Sequence, residues 1–196
     1  MRGAQANGKV RAVNAGGEML VLVVGPSGSG KDTLLEAARL ASADDPRYRF
    51  VRRVITRPAD AGGEAHEAVT PAQFARREFA LQWQAHGLNY GIPADVVDAI
   101  EHGIVVVANV SRTVIADTAQ RFPVRVIEVT APADVLAARL TSRARENASD
   151  VAARLSRSVS VPDHVPVETV MNDASLEEGI ARFLAALNRA ASAAAG

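Results

Sequence analysis

One loop constrains this chain more than any other feature. Residues 25–31 read GPSGSGK and match the spacing G-x-x-x-x-G-K of a phosphate-binding loop. The apolar run Met19–Val24 before the loop predicts a strand buried on both faces, and the apolar spacing after it predicts a helix. Glycines let backbone N–H groups turn toward phosphate oxygens, and a following helix adds its positive end. We therefore predict that nine consecutive residues bind a nucleotide: Gly25, Pro26, Ser27, Gly28, Ser29, Gly30, Lys31, Asp32 and Thr33.

Asp32 departs from the usual form of this loop. A serine or threonine hydroxyl normally follows the lysine and binds Mg²⁺, whereas here Asp32 follows Lys31 and Thr33 comes one position late. A carboxylate is also a hard oxygen ligand, so Asp32 could hold the metal directly or through water. Alternatively, Asp32 only favours the start of the helix, and Thr33 or water serves the metal. The sequence leaves both interpretations open.

Composition excludes several classes of protein. The chain has 196 residues, with 22 basic and 22 acidic side chains, which argues against binding nucleic acid through bulk positive charge. It contains no cysteine, which excludes disulfides, thiolate metal sites and cysteine nucleophiles. No apolar run approaches the roughly 20 residues that span a bilayer. We expect a cytoplasmic protein with flexible tails at 1–18 and 189–196, small-molecule substrates, and neither nucleic acid nor membrane as a partner. The sequence leaves a homodimer open.

The order of the predicted elements indicates a layered α/β fold. Buried strands are predicted at Met19–Val24, 104–110 and Val124–Thr130, with helices between them, which favours parallel pairing. One further strand is expected over residues 50–56 and a strand–turn–strand unit over 79–93. The last helix is predicted at residues 176–187.

Five segments resemble the guanylate kinase superfamily in order and spacing. They are GPSGSGKDTLL, ITRPADAGGE, HGLNYG, RLTSRARE and NDASLEEGI. The resemblance implies a three-layer P-loop fold of the nucleoside-monophosphate-kinase type, with a parallel core sheet, over residues 19–188. It also implies a small acceptor-binding subdomain at about 50–93 and an arginine-bearing lid at about 139–155.

The resemblance also implies roles for individual residues. Arg57 and Tyr90 match positions that hold the acceptor's phosphate, and Asn172 matches a position beside the adenine. The lid would place arginines over the ATP phosphates, and the candidates are Arg143, Arg145 and Arg154. Of these, Arg143 and Arg154 join Lys31 as expected catalytic residues. The alternative for the lid arginines is a solvated helix face paired with acidic neighbours.

The sequence departs from that of guanylate kinases at three positions, all of which would contact the guanine base. The polar residues that contact the base in that family fall at Leu81, Ile92 and Asn109. Two are now apolar, and the third has lost its charge. A pocket that hydrogen-bonds a base cannot exchange those groups for leucine and isoleucine and keep the base. We therefore expect an acceptor other than GMP.

A closer resemblance is to the ribose 1,5-bisphosphate phosphokinases of phosphonate utilisation (PhnN). It is carried by the loop GPSGSGKD with its aspartate, by ITR followed by a Gly-Glu-x-His turn, and by W-x-A-x-G-L-x-YG, N-x-SR and R-x-R-E-N-A-S. This resemblance implies transfer of the ATP γ-phosphoryl, with Mg²⁺, to the 1-phosphate of ribose 1,5-bisphosphate. The product would be 5-phosphoribosyl 1-diphosphate, and the acceptor has no base.

The remaining substrate-binding candidates lie on the acceptor side or at the carboxyl ends of strands, where open α/β sheets bind ligands. Arg53 is expected to bind phosphate together with Arg57, while Arg52 points the other way because neighbours on a strand alternate. The full set of predicted substrate-binding residues is Arg53, Arg57, Glu64, His66, His86, Tyr90, Asn109, Ser111 and Arg112.

Three other functions stay open at this level. The chain could be a nucleoside monophosphate kinase of the same fold, a non-catalytic binding module of the guanylate-kinase-like type, or a P-loop regulator that hydrolyses nucleotide. Transfer between phosphates needs no strong general base, because the attacking oxygen is already anionic. Alignment and charge neutralisation are therefore the expected sources of catalysis.

Overall fold

The computed structural model describes residues 19–61, 64–142 and 161–193. The lid candidates Arg143, Arg145 and Arg154 lie outside these residues, as do most of the two predicted tails. The predicted nucleotide loop and Asn172 are described, as is the acceptor region apart from residues 62 and 63.

Five parallel strands form the central sheet. They are β1 (Met19–Val24), β2 (Tyr48–Val51), β7 (Val105–Asn109), β8 (Val124–Thr130) and β9 (Val167–Met171), in the order β2-β7-β1-β8-β9. The predicted α/β class with a parallel core sheet is therefore confirmed. The apolar run of β1 is buried throughout because this strand is the middle one of the five.

Helices cover both faces of this sheet. Alternate residues of β1 point to opposite faces, so Val21 and Val23 pack with one cluster and Leu20 and Leu22 with the other. The first cluster includes residues of α1 (Lys31–Ala41) and of the last helix, α6 (Leu176–Ser192). The second includes residues of α3 (Val96–Glu101) and α4 (Ile115–Ala119). A fifth helix, α5 (Ala133–Ser142), leads toward the predicted lid.

A smaller sheet forms the predicted acceptor side. Its strands are β3 (Val54–Ile55), β4 (Glu67–Ala68), β5 (Phe79–Ala85) and β6 (Leu88–Pro93), in the order β4-β3-β6-β5. The strand–turn–strand prediction is confirmed by the antiparallel pair β5 and β6. Between β4 and β5, α2 (Pro71–Phe74) begins with a capping box between Thr70 and Gln73.

The single strand predicted over residues 50–56 is wrong. The chain instead leaves the central sheet after β2 and enters the smaller sheet at β3, and Arg52 and Arg53 form the connection. An apolar pattern cannot distinguish one strand from two short strands that belong to different sheets. This crossing places Arg53 where the two sheets meet.

The C-terminal boundary also differs from the expected one. Helix α6 continues to Ser192, beyond the boundary expected at 188, and its Ala190 and Ala191 are buried against the core. Small side chains here allow the end of the helix to lie close to the sheet. Within the described residues, no helix has the length and apolar character needed to cross a membrane.

Candidate active site

The phosphate loop joins β1 to α1 through a turn that requires glycine. Gly28 and Gly30 have φ values of 84° and 82°, which side-chain-bearing residues rarely adopt. The backbone N–H of Ser29 donates to the carbonyl of Pro26 at 3.3 Å and closes the turn. A methyl group at Gly25 would overlap the carbonyl oxygen of Val129 on β8. The loop therefore has the compact geometry that the G-x-x-x-x-G-K spacing predicted.

Asn172 supports this loop from behind. Its side-chain Nδ2 donates to the carbonyl of Ser29 at 2.7 Å, and its backbone N–H donates to Thr130 at 2.7 Å. Arg139 of α5 donates from Nη1 to the Asn172 carbonyl at 2.9 Å. The side chain is buried, and a methyl group on either Gly30 or Gly179 would overlap its amide. Asn172 thus connects the loop to β8 and to the helix that leads to the lid.

This supporting role was missed at the sequence level. The resemblance put Asn172 beside the adenine, which stays a prediction. The signal that could have indicated the loop contact is the pair of glycines, one in the loop and one in α6, that leave room for the amide.

Lys31 and Asp32 begin α1, where the phosphate loop ends. Lys31 Nζ lies 3.5 Å from Asp32 Oδ1, and the Asp32 side chain is 45% exposed. Burial by itself would raise the pKa of the Asp32 carboxyl, but the charges of Lys31 and Arg53 outweigh burial and hold that pKa below its usual value. Asp32 is therefore an ionised oxygen donor at neutral pH, beside the amides at the start of the helix.

Asn109 links the phosphate loop to the acceptor side. It is the last residue of β7 and is buried, and its Nδ2 donates to Asp32 Oδ1 at 3.0 Å and to Glu64 Oε2 at 2.7 Å. One amide group thus holds two carboxylates that come from distant parts of the chain. The sequence predicted Glu64 and Asn109 as separate substrate contacts, without this link.

Arg53 lies against Glu64 and two aromatic rings. Its Nε donates to Glu64 Oε1, and its guanidinium carbon lies 5.3 Å from the centre of the Tyr90 ring. Trp83 stacks on Tyr90 with ring centres 5.4 Å apart, which supports the ring below the arginine. Aromatic faces attract a guanidinium, so this arrangement holds the Arg53 guanidinium against the Tyr90 ring. Among the described residues, Arg53 donates a hydrogen bond only through Nε, which leaves its two terminal nitrogens for a ligand.

Arg57 and His66 form a second unit next to Glu64. Arg57 Nη2 lies 3.1 Å from His66 Nδ1, and His66 Nε2 lies 3.1 Å from the Arg57 carbonyl. The Nε of Arg57 is buried without a hydrogen-bond partner among the described residues. A buried donor without an acceptor is costly, and an anionic ligand is one way of satisfying it.

The other predicted substrate contacts lie elsewhere. Arg112 donates to Glu128 of β8, and the Ser111 hydroxyl accepts from the Thr113 N–H at the start of a short 3₁₀ turn, Arg112–Val114. His86 is exposed at the turn of the β5–β6 hairpin, with a φ of 52°. Substrate contacts by these three residues stay predictions, since the structure does not bring them together with Arg53 and Arg57.

A large open cleft runs between α1 and the acceptor side. It joins the Asp32 end of the phosphate loop to the Arg53–Glu64 pair, and the polar residues that line it include Asp32, Thr33, Arg52, Arg53, Glu64 and Asn109. Residues predicted to bind the nucleotide and residues predicted to bind the acceptor therefore line one cavity. Among the described residues, no group of three or more histidine, cysteine or acidic side chains is placed to hold a metal.

Comparison with solved structures places the fold. The chain resembles a guanylate kinase from Anaplasma phagocytophilum with a TM-score of 0.62 at 17% sequence identity, over 90% of this chain and 87% of that one. No protein-family model matches the chain. The fold and the phosphate loop together define a P-loop kinase of the α/β class.

Curated relatives define the family. The chain is 50% identical, over 87% of its length, to the ribose 1,5-bisphosphate phosphokinase PhnN of Acidiphilium cryptum and covers 92% of that protein. It belongs to the ribose 1,5-bisphosphate phosphokinase (PhnN) family, and the resemblance found in the sequence is confirmed. It is also 51% identical, over 88% of its length, to the bifunctional ribose 1,5-bisphosphokinase-thymidine phosphorylase of Azorhizobium caulinodans. The chain spans about a quarter of the length of the bifunctional relatives that it matches. Nothing in these comparisons supports the homodimer that the sequence left open.

The loop contact of Asn172 gives a direct prediction. Asn172→Ala leaves the buried Ser29 carbonyl without its donor, which costs about 1–3 kcal/mol. We expect a lower melting temperature and about tenfold weaker ATP binding by calorimetry, because ~1.4 kcal/mol of lost loop organisation corresponds to that factor.

The control is the neighbouring substitution Asp173→Ala, which removes only a surface ion pair with Arg182. It should leave ATP affinity unchanged. Wild-type affinity in Asn172→Ala would mean that the loop keeps its shape without the amide.

Proposed function

We propose that this protein transfers the γ-phosphoryl group of ATP to the 1-phosphate of ribose 1,5-bisphosphate, producing 5-phosphoribosyl 1-diphosphate and ADP. The observation that carries the proposal is Arg53, which lines the same cleft as Asp32 at the end of the phosphate loop, with Arg57 next to Glu64 through His66. The name of the Acidiphilium cryptum relative supports the same acceptor. Transfer between two phosphates fits a cleft that joins the end of the phosphate loop to a guanidinium with two terminal nitrogens left for a ligand.

The nucleotide side is formed by the loop and the start of α1. Backbone amides of Gly28–Lys31 would surround the ATP phosphates, and Lys31 would reach the β- and γ-phosphates. The ionised Asp32 carboxylate fits Mg²⁺, because it is a hard oxygen donor at the edge of the loop. When bound, Mg²⁺ would neutralise charge on the phosphates. Asp32 is the proposed ligand, while its hydrogen bond from Asn109 orients the carboxylate.

The acceptor side has cations, but Leu81 and Ile92 occupy the positions whose side chains would hydrogen-bond a base. Leu81 and Ile92, which match guanine-contacting positions, face each other across the β5–β6 pair and are buried in the core. They offer no hydrogen bond to a purine edge. Arg57, for which the resemblance implied this role, and Arg53, held over Tyr90, are proposed to bind the acceptor's phosphate. Glu64 and Asn109 face the same cleft and are proposed to contact the sugar hydroxyls.

The chemistry needs alignment more than proton transfer. An oxygen of the acceptor's 1-phosphate attacks the γ-phosphorus, and the bond between that phosphorus and the bridging β–γ oxygen breaks, so ADP leaves with that oxygen. The attacking oxygen is anionic at neutral pH, and no side chain must take its proton. Lys31 and the arginines oppose the negative charge that gathers on the phosphates. Arg143, Arg145 and Arg154 are proposed to add positive charge from the lid.

Acceptor choice tests this function. With ATP and Mg²⁺, purified protein should form ADP from ribose 1,5-bisphosphate, with 5-phosphoribosyl 1-diphosphate seen by phosphorus NMR. GMP should give at least about a hundredfold lower kcat/KM, because unpaired polar atoms on guanine cost roughly 1–3 kcal/mol each in an apolar pocket.

Two results would contradict the proposal in different ways. A preference for GMP would make the chain a guanylate kinase despite Leu81 and Ile92. ADP formation without any acceptor would instead favour the nucleotide-hydrolysing regulator.

The metal role of Asp32 gives a second prediction. Asp32→Asn keeps the shape of the side chain but weakens it as a cation ligand. We expect the half-saturating Mg²⁺ concentration to rise by about tenfold, the scale seen when a residue that supports a metal site is lost. Activity should recover in part at high Mg²⁺.

Asp117→Asn is the matched control, because Asp117 also lies in the first turn of a helix, α4, away from the cleft. It should leave the Mg²⁺ titration unchanged. An unchanged titration in Asp32→Asn would limit Asp32 to stabilising the start of α1.

A further inference from the structure

The ring of His66 has both nitrogens engaged within the protein. Nε2 lies 3.1 Å from the Arg57 carbonyl, and Nδ1 lies 3.1 Å from Arg57 Nη2 and 3.0 Å from the Glu64 carbonyl. An imidazole has only two hydrogen-bonding atoms. The sequence predicted that His66 contacts the substrate, but the structure shows its ring directed at two other predicted substrate residues.

The partners of the ring specify where its proton lies. The Arg57 carbonyl can only accept, so Nε2 must carry a proton and donate to it. The Arg57 guanidinium can only donate, so Nδ1 must accept for its contact with Nη2 to be a hydrogen bond. The Glu64 carbonyl then lies beside the lone pair of Nδ1 without a hydrogen bond. A ring protonated on Nε2 alone fits both contacts with Arg57, and it holds the backbone and the side chain of Arg57 together.

The same ring lies against the segment that positions Arg53. The Glu64 carbonyl lies beside Nδ1, and the Glu64 carboxylate accepts from Arg53 Nε and from Asn109. His66 is therefore in contact with one acceptor arginine and with the residue that holds the other.

We infer that His66 is a positioning residue, which orients Arg57 for the acceptor's phosphate and does not itself touch the substrate. The inference rests on the proposed function for the identity of the acceptor. The buried Nε of Arg57 lacks a hydrogen-bond partner among the described residues, while Nη2 is held by the ring. Without the ring, Arg57 would lose an acceptor and sample other rotamers, which would weaken acceptor binding.

Two substitutions of His66 distinguish the orientation of Arg57 by a hydrogen-bond acceptor from the simple loss of the ring. His66→Ala removes the acceptor of Arg57, and we expect the KM for ribose 1,5-bisphosphate to rise by about tenfold, the effect of losing one hydrogen bond to a charged group. The KM for ATP should change by less than about twofold, because the ring makes its hydrogen bonds to Arg57 and Glu64 and none to the phosphate loop among the described residues. His66→Asn places a carbonyl oxygen at the position of Nδ1, so it should restore most of the wild-type KM.

A double-mutant cycle with Arg57→Ala distinguishes positioning from direct contact. If His66 acts through Arg57, then adding His66→Ala to Arg57→Ala should raise the acceptor KM by less than about twofold further. A second full increase of about tenfold would show that His66 binds the substrate itself, and it would overturn the inference.

Nitrogen NMR tests the hydrogen-bond arrangement without any substrate. In the wild-type protein at pH 8, the His66 ring should show its proton on Nε2, and the Nδ1 signal should shift in Arg57→Ala. A proton on Nδ1 would overturn the inference. If the wild type does not phosphorylate ribose 1,5-bisphosphate, the proposed function fails, while the NMR result still decides whether His66 holds Arg57.

Discussion

The amide of Asn109 is the contact on which the two halves of the site depend. Strand β7 lies between β1, which leads into the phosphate loop, and β2, which leads toward Arg53. Its last residue therefore stands between the nucleotide side and the acceptor side, at the carboxyl edge where α/β sheets bind ligands. A single amide there donates to Asp32 on one side and to Glu64 on the other. This link connects the two regions that are proposed to bind phosphate.

Positive and negative side chains lie on both sides of the Asn109 amide. Lys31 and Arg53 flank the two carboxylates, and their charges outweigh the effect of burial on Asp32, so that its pKa stays below the usual value. The carboxylates of Asp32 and Glu64 would otherwise repel each other, and the cations on both sides offset this repulsion. The same cations are proposed to meet phosphates, one from ATP and one from the acceptor. The carboxylates of Asp32 and Glu64 thus balance the charges of Lys31 and Arg53, and among the described residues the terminal nitrogens of Arg53 donate no hydrogen bond.

Much of the fold and the phosphate loop could be predicted from local sequence patterns, because strands, glycine turns and helix starts depend on neighbouring residues. The phosphate loop, the parallel sheet and the hairpin before Pro93 all follow from such patterns. The division of residues 50–56 between two sheets did not, since it depends on partners far along the chain. For the same reason, spacing alone could not show that Asn109 joins Asp32 to Glu64, that Asn172 supports the loop or that His66 holds Arg57.

The central claim is that the acceptor's phosphate binds at Arg53, and the single tryptophan of the chain offers a direct test of it. Trp83 stacks on Tyr90, and the Arg53 guanidinium lies 6.0 Å from its ring. The measurement is a titration of Trp83 fluorescence with ribose 1,5-bisphosphate and, separately, with ATP and Mg²⁺. The account predicts a saturable change with the bisphosphate that is lost in Arg53→Ala, and little change with ATP. A response to ATP alone, or a bisphosphate response that survives in Arg53→Ala, would contradict it.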